Sequence, residues 1–148
     1  MKVTFCGHSN YRRREEDKDQ LMKILHERVG DELCDFLLGE YGGFDSFTYD
    51  CAKLYKSMHP NVRLIFVQPY LSLEHCKRYN LDKFDFTVYP GLEEKPMKYA
   101  ISYRNRWMIE EADIVIAYIN HTYGGAYAAY RYARQKKKEI YQLGKLKQ

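Results

Sequence analysis

Short apolar runs alternate along this chain with longer stretches in which apolar positions recur at helical spacing. Val3-Thr4-Phe5-Cys6 predicts a first strand that ends in Gly7-His8-Ser9. Leu21, Ile24, Leu25 and Val29 then share one face of a helix, and Asp35-Phe36-Leu37-Leu38 predicts a second strand running out into Gly39-Glu40-Tyr41-Gly42-Gly43. A second amphipathic helix carries Phe47, Cys51, Leu54, Tyr55 and Met58 on its buried stripe and stops at Pro60. Val62 to Val67 is a strand, closed by Gln68-Pro69-Tyr70.

The pattern weakens between Leu71 and Met97, where Leu73, Cys76 and Tyr79 suggest a short helix and Phe84 to Tyr89 an additional strand before Pro90-Gly91. It returns in a helix carrying Ile101, Met108, Ile109 and Ala112, which feeds Ile114-Val115-Ile116-Ala117-Tyr118, the most strand-like run of all. A turn from Asn120 to Gly125, a helix from Ala126 to Lys136 and a last strand from Ile140 to Leu143 complete the order. Short apolar strands separated by amphipathic helices predict an α/β fold with a parallel sheet covered on both faces. In such sheets ligands bind at the carboxyl ends of the strands, near a switch point.

Composition narrows the class. At 148 residues, 45% hydrophobic and 30% charged, the chain is expected to form one domain over residues 1–148, and it is too apolar for disorder. Its apolar stretches fall far short of the roughly 20 residues a membrane span needs, and Gly7, His8 and an arginine run follow the first strand where a signal peptide would carry its apolar core. No membrane partner is expected. Cys6, Cys34, Cys51 and Cys76 are widely spaced, and the five histidines lack H-x-x-x-H spacing, so no metal site is proposed. Four reduced, mostly buried thiols in a cytoplasmic protein is the expectation.

The net charge of +4 is unevenly spread. Arg12-Arg13-Arg14 is answered by Glu15-Glu16-Asp17, which reads as a solvated loop or helix start. From Arg131 onward, Arg131, Arg134, Lys136, Lys137, Lys138, Lys145 and Lys147 face only Glu139. A basic end can contact nucleic acid or an anionic surface; a soluble helix end and tail is the reading weighed above it. The tyrosine excess (15 against one tryptophan) suits pocket walls and interfaces.

The strand ends hold the candidate chemistry. Gly42-Gly43 and Gly124-Gly125 each precede a helix, where glycine admits close approach and exposed N–H groups favour an anion. The alternative is that these glycines only satisfy turn geometry. Neither pair fits G-x-G-x-x-G or a Walker loop, so hydride transfer and ATP hydrolysis are not expected and no cofactor is implied. Arg104 lies near the edge of its helix's core face, placed either to grip phosphate or to pair with Glu110 or Glu111. The candidate ligand set is Gly7, His8, Ser9, Tyr41, Gly42, Gly43, Arg104, Asn105, Asn120, Thr122, Gly124 and Gly125. Tyr41, Tyr70 and Tyr123 are placed to stack on a base.

Arg104-Asn105-Arg106-Trp107-Met108, Ala112 to Ala117 and Tyr123-Gly124-Gly125 together resemble the signature of the SLOG superfamily, which includes the DprA/Smf proteins, the LOG phosphoribohydrolases and the YpsA-like proteins. Val3 to His8 and Gly42 to Asp45 look closest to the YpsA-like branch. The resemblance implies a Rossmann-like sheet, a nucleotide-like ligand and a homodimer. Laid on the LOG pattern P-G-G-x-G-T-x-x-E, Gly124 and Gly125 match, but Tyr127 replaces the third glycine, Ala128 the threonine and Arg131 the glutamate. The catalytic carboxylate of that group is therefore absent. Glu40 and Asp45 are the remaining carboxylate candidates, Asp45 also being well placed as a helix N-cap.

Three functions follow as expectations. The first is a sensor or sequestering module for a nucleotide-derived molecule. The second is an N-glycosidic or phosphoribosyl hydrolase using His8, Glu40, Asp45 or His121 for proton transfer. The third is DprA-like binding of single-stranded DNA through the basic end.

Overall fold

Val62-Arg63-Leu64-Ile65-Phe66-Val67 carries one charged residue, and in the computed structural model it forms strand β3 (Val62–Val67), buried everywhere except at Arg63. The structure describes residues 1–70 and 81–146; the short helix expected over Leu73, Cys76 and Tyr79 lies outside them. The other strands are β1 (Lys2–Gly7), β2 (Cys34–Leu38), β4 (Phe86–Val88), β5 (Ile114–Tyr118) and β6 (Glu139–Gln142). They pair in parallel in the order β4-β3-β2-β1-β5-β6. The expected parallel α/β sheet is the one observed. The chain first builds outward from β1 to β4 and then crosses back to lay β5 against the other side of β1, with Val3 opposite Ile114 and Gly7 opposite Tyr118. The switch point of the sheet therefore lies between β1 and β5.

Among the described residues four α-helices cover this sheet: α1 (Glu15–Arg28), α2 (Gly43–Met58), α3 (Ala100–Glu111) and α4 (Gly124–Gln135). Successive strand side chains point to opposite faces, and the two faces take different residues. Phe36, Leu38, Leu64, Phe66, Ile114 and Ile116 meet Leu21 and Leu25 of α1 and Phe44, Phe47 and Tyr55 of α2. The alternate positions face α3 and α4: Leu37, Ile65 and Val67 pack with Met108, while Val115 and Ala117 pack with Ile109, Ala129 and Ala133. The first face is bulky and aromatic. The second is built of smaller residues near β1 and β5, which leaves space there.

Several local expectations shift. On α2 the buried positions are Phe44, Phe47, Thr48, Tyr49, Cys51, Ala52 and Tyr55, whereas Leu54 and Met58 are exposed. Leu54 falls one step off the stripe at i, i+3, i+4 that starts from Phe44, whereas Met58 continues that stripe three residues after Tyr55 and is exposed as the last residue of the helix. The extra strand after β3 is only Phe86–Val88, because Phe84 turns inward to stack on Phe66 while the Asp85 carboxylate accepts the Leu64 N–H at 2.7 Å. The acidic run Glu15-Glu16-Asp17 forms the first turn of α1, where negative charge complements the helix dipole. Cys6, Cys34 and Cys51 are free and buried; Cys76 lies outside the described residues. Among the described residues no helix is long and apolar enough to cross a membrane.

Candidate functional site

Small residues at the end of β1 and the start of α4 make room for a cavity of about 320 Å³ at the switch point. Gly7, His8, Ser9 and Asn10 bound it on one side, Tyr41 and Asp45 on another, and Ile101, Arg104, Asn105 and Met108 of α3 on a third. His121, Tyr123, Gly124, Gly125, Ala126 and Ala129 close the fourth. It sits where the crevice rule places ligands in open α/β sheets.

The two Gly-Gly turns, alike in sequence, serve different ends. Gly42 (φ +115) and Gly43 lie against the chain itself: a Cβ on Gly42 would stand 2.5 Å from Ser9 Cα, and one on Gly43 would stand 2.5 Å from the Tyr11 carbonyl oxygen. The Gly43 N–H is already spent on the Ser9 carbonyl at 2.8 Å. Gly124 (φ +90) and Gly125 meet nothing within 4 Å and open on the cavity. No side chain caps α4, so its first-turn N–H groups have no partner within the helix, and Gly124, Gly125 and Ala126 of that turn line the cavity.

Asp45 does not cap α2. Gly42 holds the N-cap position, and Asp45 in the first turn accepts the Tyr41 N–H at 2.7 Å. Burial pushes its carboxyl above the ordinary range, with Arg104 and the Tyr41 N–H pulling the other way. Arg104 is neither at a surface edge nor paired with Glu110 or Glu111. It is 3% exposed, with Nη1 donating to the Val67 carbonyl at 2.9 Å and Nε to Asn105 Oδ1 at 3.0 Å. Glu111 pairs with Lys2 instead, and Glu110 accepts the Tyr132 hydroxyl.

Three rings run through the site. His8 and His121 stack with centroids 3.5 Å apart and 17° from parallel, and Tyr123 lies over His121 at 4.0 Å. Asn120 binds both histidines: its N–H donates to His8 Nε2 at 3.2 Å, and its side-chain oxygen lies 2.8 Å from His121 Nδ1. Burial, followed by His121, pushes His8 down from 6.5 to about 4, so it is neutral at physiological pH. Burial lifts the Cys6 thiol to about 12, which removes it as a nucleophile at neutral pH.

Of the expected ligand set, Gly7, His8, Ser9, Tyr41, Arg104, Asn105, Gly124 and Gly125 line the cavity together, with Asp45 among them. Gly42 and Gly43 lie behind it under the Ser9–Tyr11 turn. Asn120 faces a separate hollow with Arg14, Asp17 and Gln142, and Thr122 is exposed outside both. Glu40 is held by Lys83 away from the cavity. Tyr70 is also outside, whereas Tyr41 and Tyr123 stand exposed at the mouth. Asn10 and the apolar wall of Ile101, Met108 and Ile109 were not among the expected ligand residues, because neither a lone asparagine nor a helix's core stripe signals a ligand.

No family profile and no curated protein matches this chain. Solved structures similar in fold include two of DNA processing protein A. DNA processing protein A from Helicobacter pylori, described for its single-stranded DNA binding mode, superposes with a TM-score of 0.63 at 17% identity over 96% of this chain and 64% of its own. DNA processing protein A (DprA) from Streptococcus pneumoniae gives a TM-score of 0.64 at 17% identity over 95% of this chain and 49% of its own. This chain thus spans less than two thirds of either protein, and what it shares with them is the Rossmann-like α/β architecture.

Proposed function

We propose that this chain is a YpsA-like SLOG domain that binds a nucleotide-derived small molecule at the carboxyl ends of β1 and β5. The observation that carries this reading is the cavity at the switch point, onto which the uncapped start of α4 opens through Gly124 and Gly125. Its volume, about 320 Å³, is in the range of small-ligand sites. Phosphate is suited to the α4 N-terminus, and an aromatic base to Tyr123 or Tyr41 at the mouth.

Calorimetry and thermal shift against AMP, GMP, ADP-ribose and cyclic dinucleotides test it. Saturable binding to the wild-type chain is expected, lost in Gly125→Val without a fall in Tm. Silence across the panel overturns the reading. Base release from a bound nucleoside monophosphate, abolished in Asp45→Asn, would add turnover, since Asp45 is the carboxyl group that lines the cavity among the described residues.

A second reading, binding of single-stranded DNA, is favoured by the fold shared with a protein described for that activity and by the exposed Arg131, Arg134, Lys136 and Lys137 at the end of α4. Here affinity for an oligonucleotide falls steeply between low and moderate salt, and the Arg131→Ala/Arg134→Ala pair weakens it across sequences. Unchanged affinity in that double variant counts against it.

A further inference from the structure

The stacked histidines give the cavity a way to sense its ligand's charge. His8 Nε2 is occupied as the acceptor of the Asn120 N–H, so a proton placed there breaks that bond. His121 is differently placed. Its Nδ1 faces an acceptor, the Asn120 side-chain oxygen, so Nδ1 carries the hydrogen and Nε2 is the nitrogen left to take a proton, with the Asn120 bond kept. The pair therefore has one position at which a proton is accepted without loss of a hydrogen bond.

His121 lies just before Gly124, at the positive end of the α4 dipole. Among the described residues, the other ionisable groups lining the space are Cys6 on β1, Tyr41 and Asp45 before and within α2, Arg104 on α3 and Tyr123 at the start of α4. Burial raises the Asp45 carboxyl while Arg104 favours its charged form, and burial keeps the Cys6 thiol protonated near pH 7. An anion seated at Gly124-Gly125 reverses the sign of the field beside His121. Anion and proton then favour each other, as linkage requires.

We propose that the cavity takes up its anionic ligand together with one proton, accepted by the stacked His8–His121 pair at His121 Nε2. This rests on the reading that the cavity binds a nucleotide-like anion. It makes affinity depend on pH, rising at most roughly tenfold for each unit of pH lowered through the titration of the bound pair.

AMP and ribose 5-phosphate serve as probes of the 148-residue chain by calorimetry at pH 6.5 and 7.5, in buffers of low and high ionisation enthalpy. The wild type is expected to take up more protons per bound AMP than His121→Gln, the difference approaching one; the phosphate's own titration is common to both and cancels. Ring NMR on the wild type gives a measurement that needs no variant, with His121 titrating at higher pH in the AMP-saturated protein than in the free one. Equal proton uptake in both proteins, or an unmoved His121 titration with AMP bound, overturns the inference and leaves the binding reading standing. No heat and no thermal shift with either probe overturns both.

Discussion

Gly39 gives up its side-chain space to the guanidinium of Arg104: a Cβ on Gly39 would stand 3.1 Å from Arg104 Nη1. The residue at the end of β2 is thus shaped by a side chain from α3, which also reaches the end of β3 through the Val67 carbonyl. One buried cation ties the carboxyl ends of two strands to a helix and lies beside Asp45 on a second helix.

Gly39→Ala is expected to destabilise the fold by about 1–3 kcal/mol in urea unfolding, since the buried guanidinium has little room to retreat. Arg104→Met costs about 1–3 kcal/mol as well, because the Val67 carbonyl loses a donor. A Gly39→Ala protein as stable as the wild type would show that Arg104 yields freely.

Gly7 and Gly125 both line the cavity and answer oppositely to alanine. A Cβ at Gly7 would fall 2.2 Å from the ring of Phe44, which is fully buried, so Gly7→Ala is expected to cost about 3 kcal/mol or more. Gly125→Ala meets open space within the first turn of α4 and leaves stability unchanged or raised by up to about 1 kcal/mol. Paired thermal melts decide the comparison, and equal Tm values would refute it.

His8 makes stability depend on acid. Its folded pKa of about 4 lies below the ordinary 6.5, so the unfolded chain binds the extra proton between those values. Its contribution is present above pH 6.5 and is lost as pH falls toward 4, up to about 3 kcal/mol in all. Asp45 has the opposite sign. With its folded pKa raised above 3.8, its contribution is present below that value and is lost as pH rises through the raised one. Stability profiles of His8→Gln and Asp45→Asn should each flatten one limb; profiles parallel to the wild type would refute the assignments.

Tyr11 donates to the buried Asp17 carboxylate at 2.7 Å, and Arg14 closes on the same group through Nε and Nη2. Tyr11→Phe removes a hydrogen bond to a buried charge and is expected to cost about 1.5–3 kcal/mol at neutral pH. A loss below about 0.5 kcal/mol would mean that Arg14 alone satisfies the carboxylate.

Much of the architecture was legible because hydrophobic periodicity is local. Ile114 to Tyr118 is the strand its residues predict, and β1, β2, β3 and β6 match their apolar runs within one or two residues. Helix phase and length were less secure: Leu54 looks like a core residue in sequence yet lies one step off the stripe that starts at Phe44, and Met58 lies on that stripe but ends the helix. Arg104 looked like a surface cation because nothing in its own helix tells of the missing side chain at Gly39.

The sequence by itself determined the order of elements, the parallel α/β class and the cluster of small and polar residues at the strand ends, all of which depend on neighbours a few positions away. Only the tertiary structure decided which of the two Gly-Gly turns opens on a cavity and which packs on its own chain. It alone joined Asn120 to His8, 112 positions apart, and stacked His8 on His121. The physical reason is the crossover that lays β5 against β1: the strands meet through backbone hydrogen bonds that any residues supply, so the side chains brought together at their ends leave no pattern along the chain.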